Sequence, residues 1–236
     1  MLRILLTNSV ESSIISKETE HTIMGGSDMF IEKLSEKFNK DEPIFTEEII
    51  ELFQEYSRAQ VFRYINKAKE NKEIIQFSKG VYFIPSVTFW GGLSTITADS
   101  VIEKKYLRNA GETFGVFGGI KLLNNFSVTT QMAAVIEVVT NNETTRCREI
   151  DINGRRFILR KSRCEINTNN YAAYTILQLF NDFTEQDELD DSSRRRLFEY
   201  IQKRRVTRKQ LLDLSMQFPA RTTKKLIGSG VINEIT

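Results

Sequence analysis

Gln60, Arg63 and Lys67 lie in the segment SRAQVFRYINKAKE at i, i+3 and i+7, and on a helix that spacing gathers them on one side. An amide, a guanidinium and an ammonium grouped in this way suit hydrogen bonds to phosphates and to base edges in the major groove of DNA. Val61, Ile65 and Ala68 recur on the other side and would seat the helix on a core. The same helix also carries Arg58, Lys69 and Lys72, whereas the preceding helix is acidic (Glu47, Glu48, Glu51, Glu55). A solvated basic helix in a module that contacts protein is the competing reading.

Other chemistry is poorly provided for. The single histidine, His21, leaves Ser-His-Asp and Cys-His catalysis and histidine-rich metal sites without their central residue. Cys147 and Cys164 have no CxxC or zinc-like spacing, and in a reducing compartment they read as small core residues. Glu137, Asp151 and Glu165 could hold Mg²⁺ in a nuclease behind a DNA-binding module, but Glu165-Ile166-Asn167 lacks the lysine such a site commonly places two residues on. The expectation is therefore no enzyme, no cofactor and no metal.

The elements that must position the first cluster follow from the pattern between Pro43 and Pro85. Thr46 is placed to cap a short helix with Ile49, Ile50, Leu52 and Phe53 as its apolar face, and Ser57 to cap the second. Two β-rich runs, 74–77 and 81–84, flank Ser78-Lys79-Gly80, where Gly80 supplies a positive φ and Lys79 reaches toward phosphate. Helix, turn, helix and hairpin in this order describe a winged helix. Residues 1–28, polar and without periodicity, read as a loose leader, with Met24 or Met29 as a possible start. Residues 29–90 form the winged helix-turn-helix domain, closed by Phe89-Trp90-Gly91-Gly92. Residues 91–236 form an α+β domain ending in a helical bundle.

In that second part, 98–110 reads as a helix and AAVIEVV as a buried strand. CREIDI and RRFILRK read as a hairpin about Asn153-Gly154, with Arg148, Arg156 and Arg160 on its outer face. Helices are expected from Asn170 onward, with Tyr174, Leu177, Leu179 and Phe180 packing inward, and then at 194–205, 208–218 and 220–227. The last two echo the first helix pair without a hairpin after them.

Net charge is only +2, but residues 146–163 and 194–225 are dense in Lys and Arg while 182–191 is acidic. No apolar run approaches the ~18 residues of a bilayer span, and the opening MLRILL is short for a secretory segment, so a cytoplasmic protein without a membrane partner is expected.

The hairpin end Lys79-Gly80-Val81-Tyr82-Phe83-Ile84-Pro85, then Thr129-Thr130-Gln131, Thr140-Asn141-Asn142 and Phe218-Pro219-Ala220-Arg221 with the following KKLIG stand in an order that resembles the AbiEi-type antitoxins of type IV toxin–antitoxin (abortive infection) systems. The family's usual Y-P-P-R-V is here Phe218-Pro219-Ala220-Arg221-Thr222. The resemblance covers the chain from Met29 to its end. It implies a winged helix that binds inverted repeats in its own promoter and represses the operon. It also implies a C-terminal domain that counteracts a nucleotidyltransferase-like toxin, with direct contact not required. Carried onto this chain, Ser57, Arg58, Gln60, Arg63, Tyr64 and Lys67 would face DNA, with Lys79 and Tyr82 on the wing. The antitoxin surface would draw on Arg148, Arg155, Arg156, Arg160 and Lys161 and on Arg204, Arg205 and Arg208. Thr130, Gln131, Asn141 and Asn142 have either a functional role or the plainer one of capping turns. A winged-helix regulator whose second domain binds an effector or partner, with no toxin, is the alternative.

Overall fold

The computed structural model describes residues 28–184 and 187–235. Within them the chain is mixed α+β, and it divides into two compact units between Val101 and Ile102. The expected leader, His21 included, lies outside the described residues up to position 27.

In the first unit, α1 (residues 28–37) aligns Phe30 and Leu34 with Phe38 just beyond it, and all three are buried. β1 (Ile44–Phe45), α2 (Thr46–Leu52), α3 (Arg58–Glu70), β2 (Ile75–Ser78) and β3 (Val81–Phe83) follow. The three strands form an antiparallel sheet in the order β1-β3-β2. Ile44, Ile49, Phe53, Val61, Ile65, Ile74 and Tyr82 close a common core with α1.

Thr46 does not cap α2. It is buried, and its amide (3.0 Å) and hydroxyl (3.3 Å) both donate to the Gly80 carbonyl at the hairpin tip. Glu48 serves the helix start instead, its carboxylate accepting from the Phe45 amide at 2.8 Å. Gly80 has φ +76°, and a Cβ there would stand 3.3 Å from the Thr46 hydroxyl, so the tight turn and its anchor both favour glycine.

Phe89 and Trp90 sit almost fully exposed on a tight loop bridged at Val87 and Leu93, and they meet edge to face at 5.2 Å. Asp41 anchors the loop base by accepting from the Ser86 amide (3.1 Å) and hydroxyl (2.6 Å) and from the Ser94 hydroxyl. Those two hydroxyls hold the Asp41 carboxyl below its ordinary range.

The expected helix over 98–110, which runs across the Val101–Ile102 division, is cut short. α4 (Ala98–Ile102) passes into a π-helical turn (Glu103–Leu107) and then into the small hairpin of β4 (Arg108–Asn109) and β5 (Glu112–Thr113). Ala110 and Gly111, both at positive φ, make the turn, and the Leu107 carbonyl accepts from the Phe114 amide at 2.8 Å. A four-stranded mixed sheet follows: β6 (Gly115–Gly118), β7 (Ile136–Thr140), β8 (Cys147–Ile152) and β9 (Arg155–Lys161), ordered β6-β7-β9-β8. β7 and β9 are parallel, and the other pairs antiparallel.

α5 (Gly119–Asn125) and the long α6 (Tyr171–Asp182) pack on one face of this sheet. Residues 172–180 of α6 are all buried, because α8 (Arg208–Ser215) and α9 (Ala220–Gly228) cover the side turned away from the sheet. α7 (Asp191–Arg204) adds Leu197 and Ile201 to the same core. Among the described residues no helix is long and apolar enough to cross a membrane.

Candidate functional site

α3 forms where the sequence signals it. The Ser57 hydroxyl accepts from the Gln60 amide, Lys67 and Lys69 stand in the last turn where the helix dipole favours cations, and Asn71 follows as C-cap. Val61, Ile65 and Ala68 are buried, which turns Ala59, Arg63, Asn66 and Glu70 away from the core. Arg63 is exposed, Gln60 and Lys67 are half-buried on one shoulder of the helix, and Lys79 is exposed at the hairpin tip. Among the described residues Arg63, Lys67 and Lys79 have no carboxylate partner. Lys69, by contrast, donates to the Gln76 side chain at 2.7 Å.

Two of the expected DNA-facing residues are not at the surface. Tyr64 is buried between Phe30 (ring centroids 5.7 Å apart) and Tyr56 (5.6 Å), its hydroxyl taking a hydrogen bond from Gln60 Nε2 at 3.0 Å. It falls on the same side of the helix as Ile65 and Ala68, one turn from Val61. Tyr82 is buried in the central strand of the sheet, paired on both sides. Ser57 is committed to capping, and Arg58 lies over the Phe62 ring at 5.9 Å.

In the second unit the hairpin arginines do not share one face. The Asn153-Gly154 turn sets Ile152 opposite Arg155, which places Arg148 opposite Leu159 and Cys147 opposite Arg160. Arg148, Arg155 and Lys161 therefore share a face with Phe157 and Leu159, and Arg156 and Arg160 occupy the other. Three of these arginines already hold carboxylates: Arg148 with Glu143 at 2.8 Å, Arg156 with Glu149 at 3.6 Å, Arg160 with Glu137 at 2.6 Å. Glu143 is buried, which alone would raise its pKa. The Thr145 hydroxyl and amide, with the Arg148 guanidinium, outweigh that and hold it below the ordinary range. Cys147, expected in the core, is exposed.

The later arginines also separate. Arg204 lies over the Tyr171 ring at 5.4 Å and lines a cavity of about 610 Å³ with Val116, Leu122, Phe126 and Tyr200. Arg205 takes the left-handed conformation that ends α7, and Arg208 is exposed at the start of α8.

Of the expected surface, Arg160 and Lys161 come together at a second, polar cavity of about 750 Å³, which Arg146, Arg163 and Arg221 also line. These last three were missed as site residues, although Arg221 stands in the Phe218-Pro219-Ala220-Arg221 motif. Asn141 and Asn142 have bracing roles: Asn141 binds Ile166 and Ser162, and Asn142 donates to the Lys105 carbonyl at 3.1 Å. The three carboxylates considered for Mg²⁺ serve separately. Glu137 binds Arg160, Asp151 accepts from the Gly154 amide at 2.8 Å, and Glu165 lines a different cavity. Among the described residues no cluster of His, Cys, Asp and Glu is placed to hold a metal ion.

No protein-family model, curated protein or solved structure matches the chain.

Proposed function

We propose that the chain is a DNA-binding repressor of the AbiEi antitoxin type, whose first unit is a winged helix-turn-helix and whose second unit counteracts a nucleotidyltransferase-like toxin. The carrying observation is α3: a capped amphipathic helix whose buried side is Val61, Tyr64, Ile65 and Ala68 and whose outer side leaves Arg63 and Lys67 unpaired. The element order supports the same reading, with a helix and a short strand before the helix pair, a hairpin after it, and strand order β1-β3-β2. In this reading Asn66 faces base edges in the major groove, Arg63, Lys67 and Lys79 hold flanking phosphates, and Gln60 fixes the Tyr64 hydroxyl rather than reading a base. Ser57 acts through the helix start. The antitoxin part rests on the order of motifs from Lys79 to Arg221, and its target is the toxin's activity in the cell, with or without a stable complex.

The test is binding of the full chain to the DNA upstream of its own gene, against a scrambled duplex of equal length, together with growth rescue on co-expression with the adjacent gene. Equal affinity for both duplexes argues against gene control, and absence of rescue argues against the antitoxin assignment.

One observation favours a second reading, a regulator with an effector-binding unit. The cavity of about 610 Å³ has an apolar floor (Val116, Leu122, Phe126) and converging polar groups on Arg108, Arg196 and Arg204. A small molecule that releases the DNA without any adjacent toxin gene would select it.

A further inference from the structure

The polar cavity of about 750 Å³ is assembled from six separate stretches of chain, among them Gly119 at the start of α5 and Glu137 and Val139 on β7. Arg160 and Lys161 come from the end of β9, with Arg163 two residues on. Arg146 precedes β8, and Arg221 stands in the first turn of α9. The floor is the last turn of α6, with Gln178, Asn181 and Asp182. Five cations thus line a space whose only carboxylates among the described lining residues are Glu137 and Asp182.

Both carboxylates are already engaged. Glu137 Oε2 accepts from Arg160 Nε at 2.6 Å, so those two charges cancel locally. Asp182 accepts from the Gly119 amide (2.7 Å), Gln178 Nε2 (2.7 Å) and Asn181 Nδ2 (3.1 Å). Gly119 leaves room for the Glu137 carboxylate beside it: it has φ +58°, and a Cβ there would stand 3.1 Å from that group. Burial pushes the Asp182 carboxyl up, which favours its neutral form.

Arg146, Arg163 and Arg221 remain, all exposed at the cavity wall and without a carboxylate partner among the described residues, while Lys161 points to the opposite face of the sheet at the end of β9. Arg163 is steadied rather than neutralised, by the Phe218 ring at 5.5 Å and Asn181 Oδ1 at 3.5 Å. Gathered cations repel one another, and planar guanidinium groups match phosphate oxygens in pairs. The wall offers little for a base to stack on. Val139 is its one aliphatic side chain among the described lining residues, and the Tyr174 ring is buried in the core against Phe218.

We propose that this cavity binds a small ligand through a chain of two or more phosphate groups, such as the di- or triphosphate of a nucleotide, with Arg146, Arg163 and Arg221 as its phosphate contacts. A single phosphate would engage only part of this set. Recognition lies in the phosphates, so the base is read weakly. The inference does not rest on the gene-control reading, because none of these residues belongs to the first unit.

The test uses the full-length protein at about 0.15 M salt, where long-range attraction between exposed charges is largely screened. Inorganic tripolyphosphate, ATP, pyrophosphate and orthophosphate are titrated by calorimetry, and melting temperatures are followed in parallel. Tripolyphosphate and ATP should bind alike, with orthophosphate at least about tenfold weaker, the loss expected when one charge-assisted hydrogen bond goes unmade. Arg146→Ala with Arg221→Ala should weaken tripolyphosphate binding about tenfold or more by the same reasoning, whereas Arg63→Ala with Lys67→Ala should leave it unchanged. Should the first pair fail to fold, Arg146→Lys with Arg221→Lys keeps the charge and should bind at intermediate strength. No binding of tripolyphosphate at about 1 mM, a limit of about 4 kcal/mol, overturns the proposal. Undiminished binding in the Arg146 and Arg221 variants, or loss of binding in the Arg63 and Lys67 variant, overturns it equally.

Discussion

Replacing Arg63 and Lys67 together with alanine should change how DNA binding responds to salt, and the size of the change follows from the unpaired cations on the first unit. Arg63, Lys67 and Lys79 have no carboxylate partner among the described residues, so each is available to one phosphate. Three such contacts give a slope of about −2.7 in log affinity against log salt, and a loss of about 40-fold between about 50 and 200 mM. With Lys79 alone the slope falls to about −0.9 and the loss to about 3- to 4-fold. The buried side of α3 is untouched, so stability should change by no more than about 1 kcal/mol, the worth of a cation in the last helical turn. Fluorescence anisotropy of a labelled operator duplex across a salt series measures both slopes. Lys33→Ala is the internal control, because Lys33 is paired with the Glu55 carboxylate at 2.7 Å and should leave the slope where it was. A double variant with the wild-type slope refutes the assignment of α3. Equal flattening by Lys33→Ala refutes it differently, by showing diffuse attraction to a basic surface.

Two further expectations concern the second unit. Tyr174→Phe removes the acceptor for the Arg163 amide (3.0 Å) in a buried place and should cost about 1–3 kcal/mol in urea unfolding. In the wild type that phenol, pushed up to about 12 by burial, should stay silent in an ultraviolet titration through the range of ordinary tyrosines. Asp182→Asn should change the pH dependence of unfolding. The folded-state pKa of Asp182 is raised, chiefly by burial, so its contribution to stability is fully present below the ordinary carboxylate range and is lost as pH climbs through the raised value. Wild-type stability minus that of the variant should therefore decline across that window, and a difference that stays flat would show the site to be as well solvated folded as unfolded.

Much of the scaffold was legible because its signals are local. Ser57 before an amphipathic run, Asn153-Gly154 between two β-rich segments and the apolar density of α6 each act over a few residues, and each produced the element expected. α1 carries an equally plain signal, Phe30, Leu34 and Phe38 at four-residue spacing, directly after a long polar run without periodicity. The helix expected over 98–110 failed because pattern alone did not register the pull of the Leu107–Phe114 hydrogen bond, which turns the chain into a hairpin. Arg148 could have been placed correctly. A two-residue turn at Asn153-Gly154 sets 152 against 155, and counting back along the strands puts Arg148 beside Leu159. The polar cavity was beyond such counting, since Arg146, Arg163 and Arg221 meet only once α6 is enclosed by both the sheet and α9.

Density of positive charge in a sequence turns out to be a poor guide to where a polyanion would be held, because it does not separate committed cations from idle ones. The hairpin looked like the natural basic surface, yet Arg148, Arg156 and Arg160 each face a carboxylate supplied by the unit itself. Lys33 is occupied in the same way by Glu55, at 2.7 Å in the first unit. Exposed pairs of this kind add little to stability, but they lower the field that a passing phosphate would meet. The cations left over after this local pairing include two groups, one on α3 and the hairpin tip, the other around the cavity beside Asp182. Arg63 and Lys67 lie on α3 and Arg221 on α9, where the ordering cost of a charged side chain is partly met by folding itself. That is why Arg63 and Lys67 in one unit, and Arg146 and Arg221 in the other, are the positions at which loss of charge should appear in binding rather than in stability.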